Sequence, residues 1–132
     1  MNVERINPAG LARPSGFSHA VSATGRTVFL AGQIGIDRDG KVAAGGIVPQ
    51  FEQAFGNLLA ALAAAGGHPA DLVSLTIYLT DVEDYQAHGK EIGAVWRRLA
   101  GTDYPAMAGV GVTRLWLPEA MVEIQGIAVI SR

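Results

Sequence analysis

Glu123 is the residue of this sequence best suited to chemistry. It stands in the run Met121-Val122-Glu123-Ile124-Gln125-Gly126-Ile127. A carboxylate set among apolar neighbours suits acid–base work, such as taking a proton from water. From the residues alone, a glutamate facing outward from an alternating strand, or one pairing across a subunit interface, is the commoner reading of such a position. Other chemistries are poorly served. His19, His68 and His88 lie far apart without ligand-like spacing, so no metal site is expected. Gly45-Gly46 leads into Ile47-Val48 rather than Lys-Ser/Thr, so no phosphate loop of the P-loop kind is present. Ser22, Ser74 and Ser131 lack a nucleophile-elbow context. With no cysteine in the chain, disulfides, thiolate nucleophiles and thiolate metal sites are excluded. Cofactor-free hydrolysis remains open, and no cofactor is expected.

The elements that must position such a residue follow from composition and periodicity. A chain of 132 residues suits one domain, 1–132, and 49% hydrophobic against 17% charged residues argues against disorder. The formal charge is −2 with Lys and Arg scattered, so the basic stripe that would neutralise a phosphate backbone is missing. Glu4 and Arg5 stand where a signal peptide would be apolar, and no apolar run reaches the ~20 residues that span a bilayer. A cytoplasmic protein with neither nucleic-acid nor membrane partners is expected.

Val3 to Ile6 alternates as a short first strand does, and a Pro/Gly-rich loop follows from Pro8 to Gly16. Ser18 to Ala23 and Thr27 to Gly32, separated by Thr24-Gly25-Arg26, read as an antiparallel hairpin turning at Gly25. Val48, Phe51, Phe55, Leu58, Leu59 and Leu62 share one face of a helix that opens near Pro49 and ends at Gly66-Gly67. Leu72 to Leu79 alternates strictly and is a strand with one apolar face. Asp81 caps a second helix whose stripe is Val82, Tyr85, Ile92, Val95, Trp96 and Leu99, closed by Gly101. Gly89 and Gly93 weaken it by about 1 kcal/mol each relative to alanine. Two last strands, about Ala106 to Leu115 and Met121 to Ile130, complete the order β-β-β-α-β-α-β-β. That order predicts an α+β fold with two helices on one face of a mixed sheet.

Four stretches of the chain resemble the reactive-intermediate deaminase (Rid) family, also labelled YjgF-like. They are Gly16-Phe17-Ser18-His19-Ala20-Val21, Leu30-Ala31-Gly32-Gln33-Ile34, Val73-Ser74-Leu75-Thr76-Ile77-Tyr78-Leu79-Thr80-Asp81 and Val122-Glu123-Ile124-Gln125-Gly126-Ile127-Ala128. They occur in the family's order across nearly the whole chain. The resemblance implies a chorismate-mutase-like fold and a homotrimer whose sheets form an inner barrel, with clefts between subunits. It also implies hydrolysis of small enamines or imines, such as 2-aminoacrylate, to a 2-keto acid and ammonia.

In deaminating members the glutamate matching Glu123 directs the attacking water, and the backbone N–H of the glycine matching Gly32 meets a substrate oxygen. The alternative for Gly32 is a strand-end glycine that permits close backbone approach. Those members also carry an arginine in a Pro-Ala-Arg stretch, whose guanidinium grips the substrate carboxylate. Here Tyr104-Pro105-Ala106-Met107 places Met107 at that position, and Phe17 replaces a common tyrosine. Met107 and Phe17 then serve as apolar walls of the cleft or as core. Arg114, eight residues past Ala106, is a candidate for the missing cation; Arg13 is a second, and either is otherwise a solvated surface arginine. Trp116 lies in a connection longer than the family's, and shapes the cleft mouth or anchors an interface. The resulting expectation is a cofactor-free hydrolase of a small C–N metabolite. The alternative is a trimer that binds a small metabolite or presents a chaperone-like surface.

Overall fold

The computed structural model describes residues 3–132. The chain forms strand β1 (Val3–Ile6), β2 (Ala20–Ala23), β3 (Arg26–Ile34), helix α1 (Ile47–Ala64), β4 (Leu72–Leu79), α2 (Val82–Ala87), α3 (Gly89–Ala100), β5 (Ala106–Gly111) and β6 (Val122–Ile130). The main sheet has the order β3-β6-β4-β5, with β5 parallel to β4 and the other pairs antiparallel. The strict alternation of β4 gives it one buried face. Leu75, Ile77 and Leu79 are buried under the helices, beside Val122, Ile124 and Ala128 of β6. Phe51, Phe55, Leu58 and Leu62 of α1 and Trp96 of α3 fill that core, with Trp96 stacked on Phe55 at 4.3 Å. No helix among the described residues is long and apolar enough to cross a membrane.

Three sequence expectations are corrected. Ser18 to Ala23 does not form a hairpin with the following strand. Instead β2 pairs with β1, Val3 opposite Ala23, while β3 joins β6 in the main sheet. Gly25 is the reason. A Cβ there would press on the Ile130 carbonyl carbon at 2.8 Å, so the bare glycine lets the chain turn in against the end of β6. The second helix is two helices, broken at His88, whose ψ of 18° leaves helical geometry ahead of Gly89. Its apolar stripe continues across the break because both pieces pack on one core. The strand beginning at Ala106 stops at Gly111, where Val112 N–H donates to the Leu79 carbonyl (2.8 Å) and the chain bends away.

Other local readings hold. Asp81 caps α2 by accepting the Asp84 N–H, and α1 closes at Gly66 in the left-handed region (φ 91°), with Gly67 N–H on the Leu62 carbonyl.

One ion pair ties the end of β6 to the start of β4. Arg132 donates from Nη1 to Asp71 Oδ1 (3.0 Å) and from Nη2 to Oδ2, and the His68 N–H donates to the same carboxylate at 2.7 Å. Asp71 is only 5% exposed. Burial pushes its pKa up, but Arg132 and the His68 N–H together outweigh that and hold it below the ordinary carboxylate value. A depressed folded-state pKa gives stability that is complete above the unfolded value, ~3.9, and lost as pH falls through the folded one. Asp71→Asn is therefore expected to lower Tm at pH 7. Its deficit should shrink as thermal melts are taken from pH 4 downward.

Candidate functional site

The helix-free face of the sheet carries the polar residues of β4 and β6. Glu123 sits opposite Tyr78 on one side and Ile34 on the other, and Gln125 sits opposite Thr76. Tyr78 donates its hydroxyl hydrogen to Gln125 Oε1 at 3.1 Å. The β3–β6 register shifts between Leu30 and Gln33, and Gly32 lies within that irregularity. The shift brings Gly32 directly against the Glu123 carboxylate, so that a Cβ at Gly32 would come 2.9 Å from Cδ. The absence of a side chain at Gly32 is what makes room for the carboxylate.

The connection from β5 to β6 arches over this place. Together they enclose an open cleft of ≈ 1190 Å³, lined by Gly32, Tyr78, Arg114, Trp116, Glu123 and Gln125 among others. Arg114 donates from Nε to the Leu115 carbonyl at 3.3 Å. The ion pairs among the described residues are Arg5–Asp103, His88–Asp84, Arg98–Glu52 and Arg132–Asp71, so neither Arg114 nor Glu123 is engaged in one. The cleft thus holds an unpaired guanidinium and an unpaired carboxylate. That pair can bind an anionic group with the first and take a proton from water with the second.

The structure brings Glu123, Gly32 and Arg114 together; Phe17 and Met107 lie elsewhere in the chain. They line a separate pocket of ≈ 320 Å³ with Ile77, Leu79 and Tyr85. Strand geometry dictates the separation. Met107 is level with Leu75 and Glu123 with Tyr78, and these two β4 residues are three apart, so they face opposite sides of the sheet. Met107 packs against the helix-side core. Phe17 meets His19 edge-on at 5.2 Å, and the loop is pinned by Ser18, which donates its N–H to the Pro105 backbone carbonyl and its hydroxyl hydrogen to the Tyr104 backbone carbonyl. In the same pocket, burial pushes the Tyr85 hydroxyl up to about 12, so it stays protonated. Arg13 is not among the residues lining the Glu123 cleft. Tyr78 and Gln125 were missed as site residues. Alternation put Tyr78 on the polar face of its strand, but only the β4–β6 register shows Tyr78 and Gln125 to be neighbours of Glu123.

The comparisons agree with this architecture. The family model described as Endoribonuclease L-PSP matches residues 9–130. The chain is 36% identical to a 2-iminobutanoate/2-iminopropanoate deaminase of Dermatophagoides farinae, covering 99% of this chain and 100% of that protein. It is also 36% identical to a RutC family protein of Pyrococcus horikoshii, over 85% of each. A crystal structure of a Rid-family protein of unknown function from Yersinia pestis superposes with a TM-score of 0.87 at 35% identity, covering 98% of this chain and 100% of that one. With the four-stranded mixed sheet, the three helices and these matches in agreement, the chain belongs to the Endoribonuclease L-PSP (Rid/YjgF) family and has its chorismate-mutase-like fold.

Proposed function

We propose that this protein is a cofactor-free deaminase that hydrolyses a small enamine or imine bearing a carboxylate. The observation that carries the reading is the cleft that pairs a free Arg114 with a free Glu123 held over Gly32. In the proposed reaction the Glu123 carboxylate takes a proton from water as the oxygen adds to the imine carbon. Glu123 returns that proton to nitrogen, giving the neutral carbinolamine. The hydroxyl proton then passes through the same carboxylate to nitrogen as the C–N bond breaks and the C=O bond forms, so that nitrogen departs as ammonia. A 2-imino acid and water thus become a 2-keto acid and ammonia, with no oxidant or reductant. The relatives named as 2-iminobutanoate/2-iminopropanoate deaminases support this substrate class. The endoribonuclease wording of the family description finds no support in a chain of net charge −2 with scattered Lys and Arg.

Arg114 takes the place of the cation that Met107 lacks. Its terminal N–H groups suit a carboxylate held through charge-assisted hydrogen bonds, each contributing ~1.5–3 kcal/mol. Arg114→Gln is accordingly expected to lower kcat/KM for 2-iminopropanoate by about tenfold or more, mainly through KM. The check is ammonia and keto-acid release from imines generated in the cuvette by an amino-acid oxidase. An unchanged KM would remove Arg114 from substrate binding.

The uncovered sheet face supports assembly. Phe29, 79% exposed, borders a shallow hollow with Ser74, Thr76 and Ile127 that further copies of the chain would cover. In a homotrimer the Phe17–Met107 pocket of one subunit would supply the apolar wall of a neighbour's cleft, so that the separated candidates form one site. Sedimentation at several concentrations tests the trimer. A cytoplasmic location, consistent with a cysteine-free chain, completes the reading. Ligand binding without product formation would instead favour a non-catalytic metabolite-binding protein.

A further inference from the structure

Proton transfer and carboxylate binding leave one feature of the cleft unused. Trp116 is 86% exposed, the most exposed of the large apolar side chains among the described residues, and it lines the same cleft as Arg114 and Glu123. An indole offers a broad, rigid face that attracts other rings. Its backbone is held on both sides. Val112 N–H is fixed to the Leu79 carbonyl before it, and Ala120 N–H closes a turn on the Leu117 carbonyl after it (3.0 Å). Gln50, 4% exposed, then grips the end of the connection. It donates to the Glu119 carbonyl at 3.1 Å and accepts the Met121 N–H at 2.8 Å. The ring is therefore presented from an anchored connection, two residues from the free guanidinium.

We infer that Trp116 sets the substrate class of this cleft as 2-imino acids with an aromatic side chain. The ring lies on the indole, Arg114 holds the carboxylate, and the imine carbon faces Glu123. The inference rests on the deaminase reading for the functional group it names, and adds the side chain. A substrate with a methyl or ethyl side chain places nothing on the indole, so the aromatic substrate alone gains from it.

The test compares imines generated from phenylalanine and from alanine. The ratio of their kcat/KM values should favour the aromatic imine in the wild type. It should fall about five- to tenfold in Trp116→Ala and be retained in Trp116→Phe, the size expected for one ring contact. A ratio unchanged in Trp116→Ala overturns the inference while leaving the deaminase reading intact. If the wild type accelerates neither imine, the deaminase reading fails, and product binding decides the rest. Phenylpyruvate should then quench tryptophan emission at concentrations where pyruvate does not, with the signal lost in Trp116→Phe. Trp96 is buried against Phe55 and contributes little to such a change. Equal quenching by both keto acids, or none by either, overturns the inference on that arm as well.

Discussion

Glu123→Gln is expected to lower kcat for imine hydrolysis by roughly 10²–10⁴-fold, the range a positioned general base contributes. The substitution keeps the shape of the side chain and its packing against Gly32, but an amide cannot take the proton of the attacking water. Substrate binding should change little if, as proposed, the carboxylate is held by Arg114. Fold stability should change little as well, since Glu123 lies at the open face of the sheet and none of the ion pairs among the described residues includes it. Steady-state kinetics with thermal melts would therefore show a loss in kcat at nearly constant KM and Tm. An unchanged kcat removes Glu123 from the mechanism and moves the reading to a metabolite-binding protein.

The elements easiest to read were those whose signal is local. β4 runs from Leu72 to Leu79 as its alternation predicts, because a strand with one buried face repeats every two residues. The start and end of α1 were legible from Pro49 and Gly66-Gly67, whose backbone preferences act without help from the rest of the fold. Strand partners were not legible. Ala20–Ala23 and Arg26–Ile34 carry a good hairpin signal at Gly25, yet β3 pairs with a strand about a hundred residues away. The helix break at His88 was masked because Tyr85 and Ile92 both reach the core, so the stripe looks continuous across it.

The site divided in the same way. Resemblance to the family identified Gly32 and Glu123, but their contact depends on the register shift in β3. Met107 and Glu123 are both candidates by resemblance, yet the β4 register turns them to opposite faces. A pattern read along the chain gives the parity of each strand; it does not relate the parity of one strand to that of another. Relating Arg114 to Glu123 likewise required the path of the β5–β6 connection, which no period describes.

Gly32→Ala separates a positioning role from a merely structural one. A methyl group at Gly32 would occupy the space of the Glu123 carboxylate, coming 2.9 Å from Cδ. The nearest atoms belong to the far end of a side chain that borders an open cleft, so Glu123 can swing aside and the fold survives. The carboxylate no longer faces the reacting carbon, and a displacement of about 1 Å is enough to cost on the order of 10²-fold in kcat. Melting should shift by only a few degrees, since the displaced group is not part of the core. The decisive comparison is the double variant. If Gly32 acts by holding Glu123, adding Gly32→Ala to Glu123→Gln should lower kcat little further, because residues that work as a unit are non-additive. A full additional 10²-fold loss in the double variant would mean that Gly32 contributes independently of the carboxylate, for example through its own backbone N–H at the substrate oxygen.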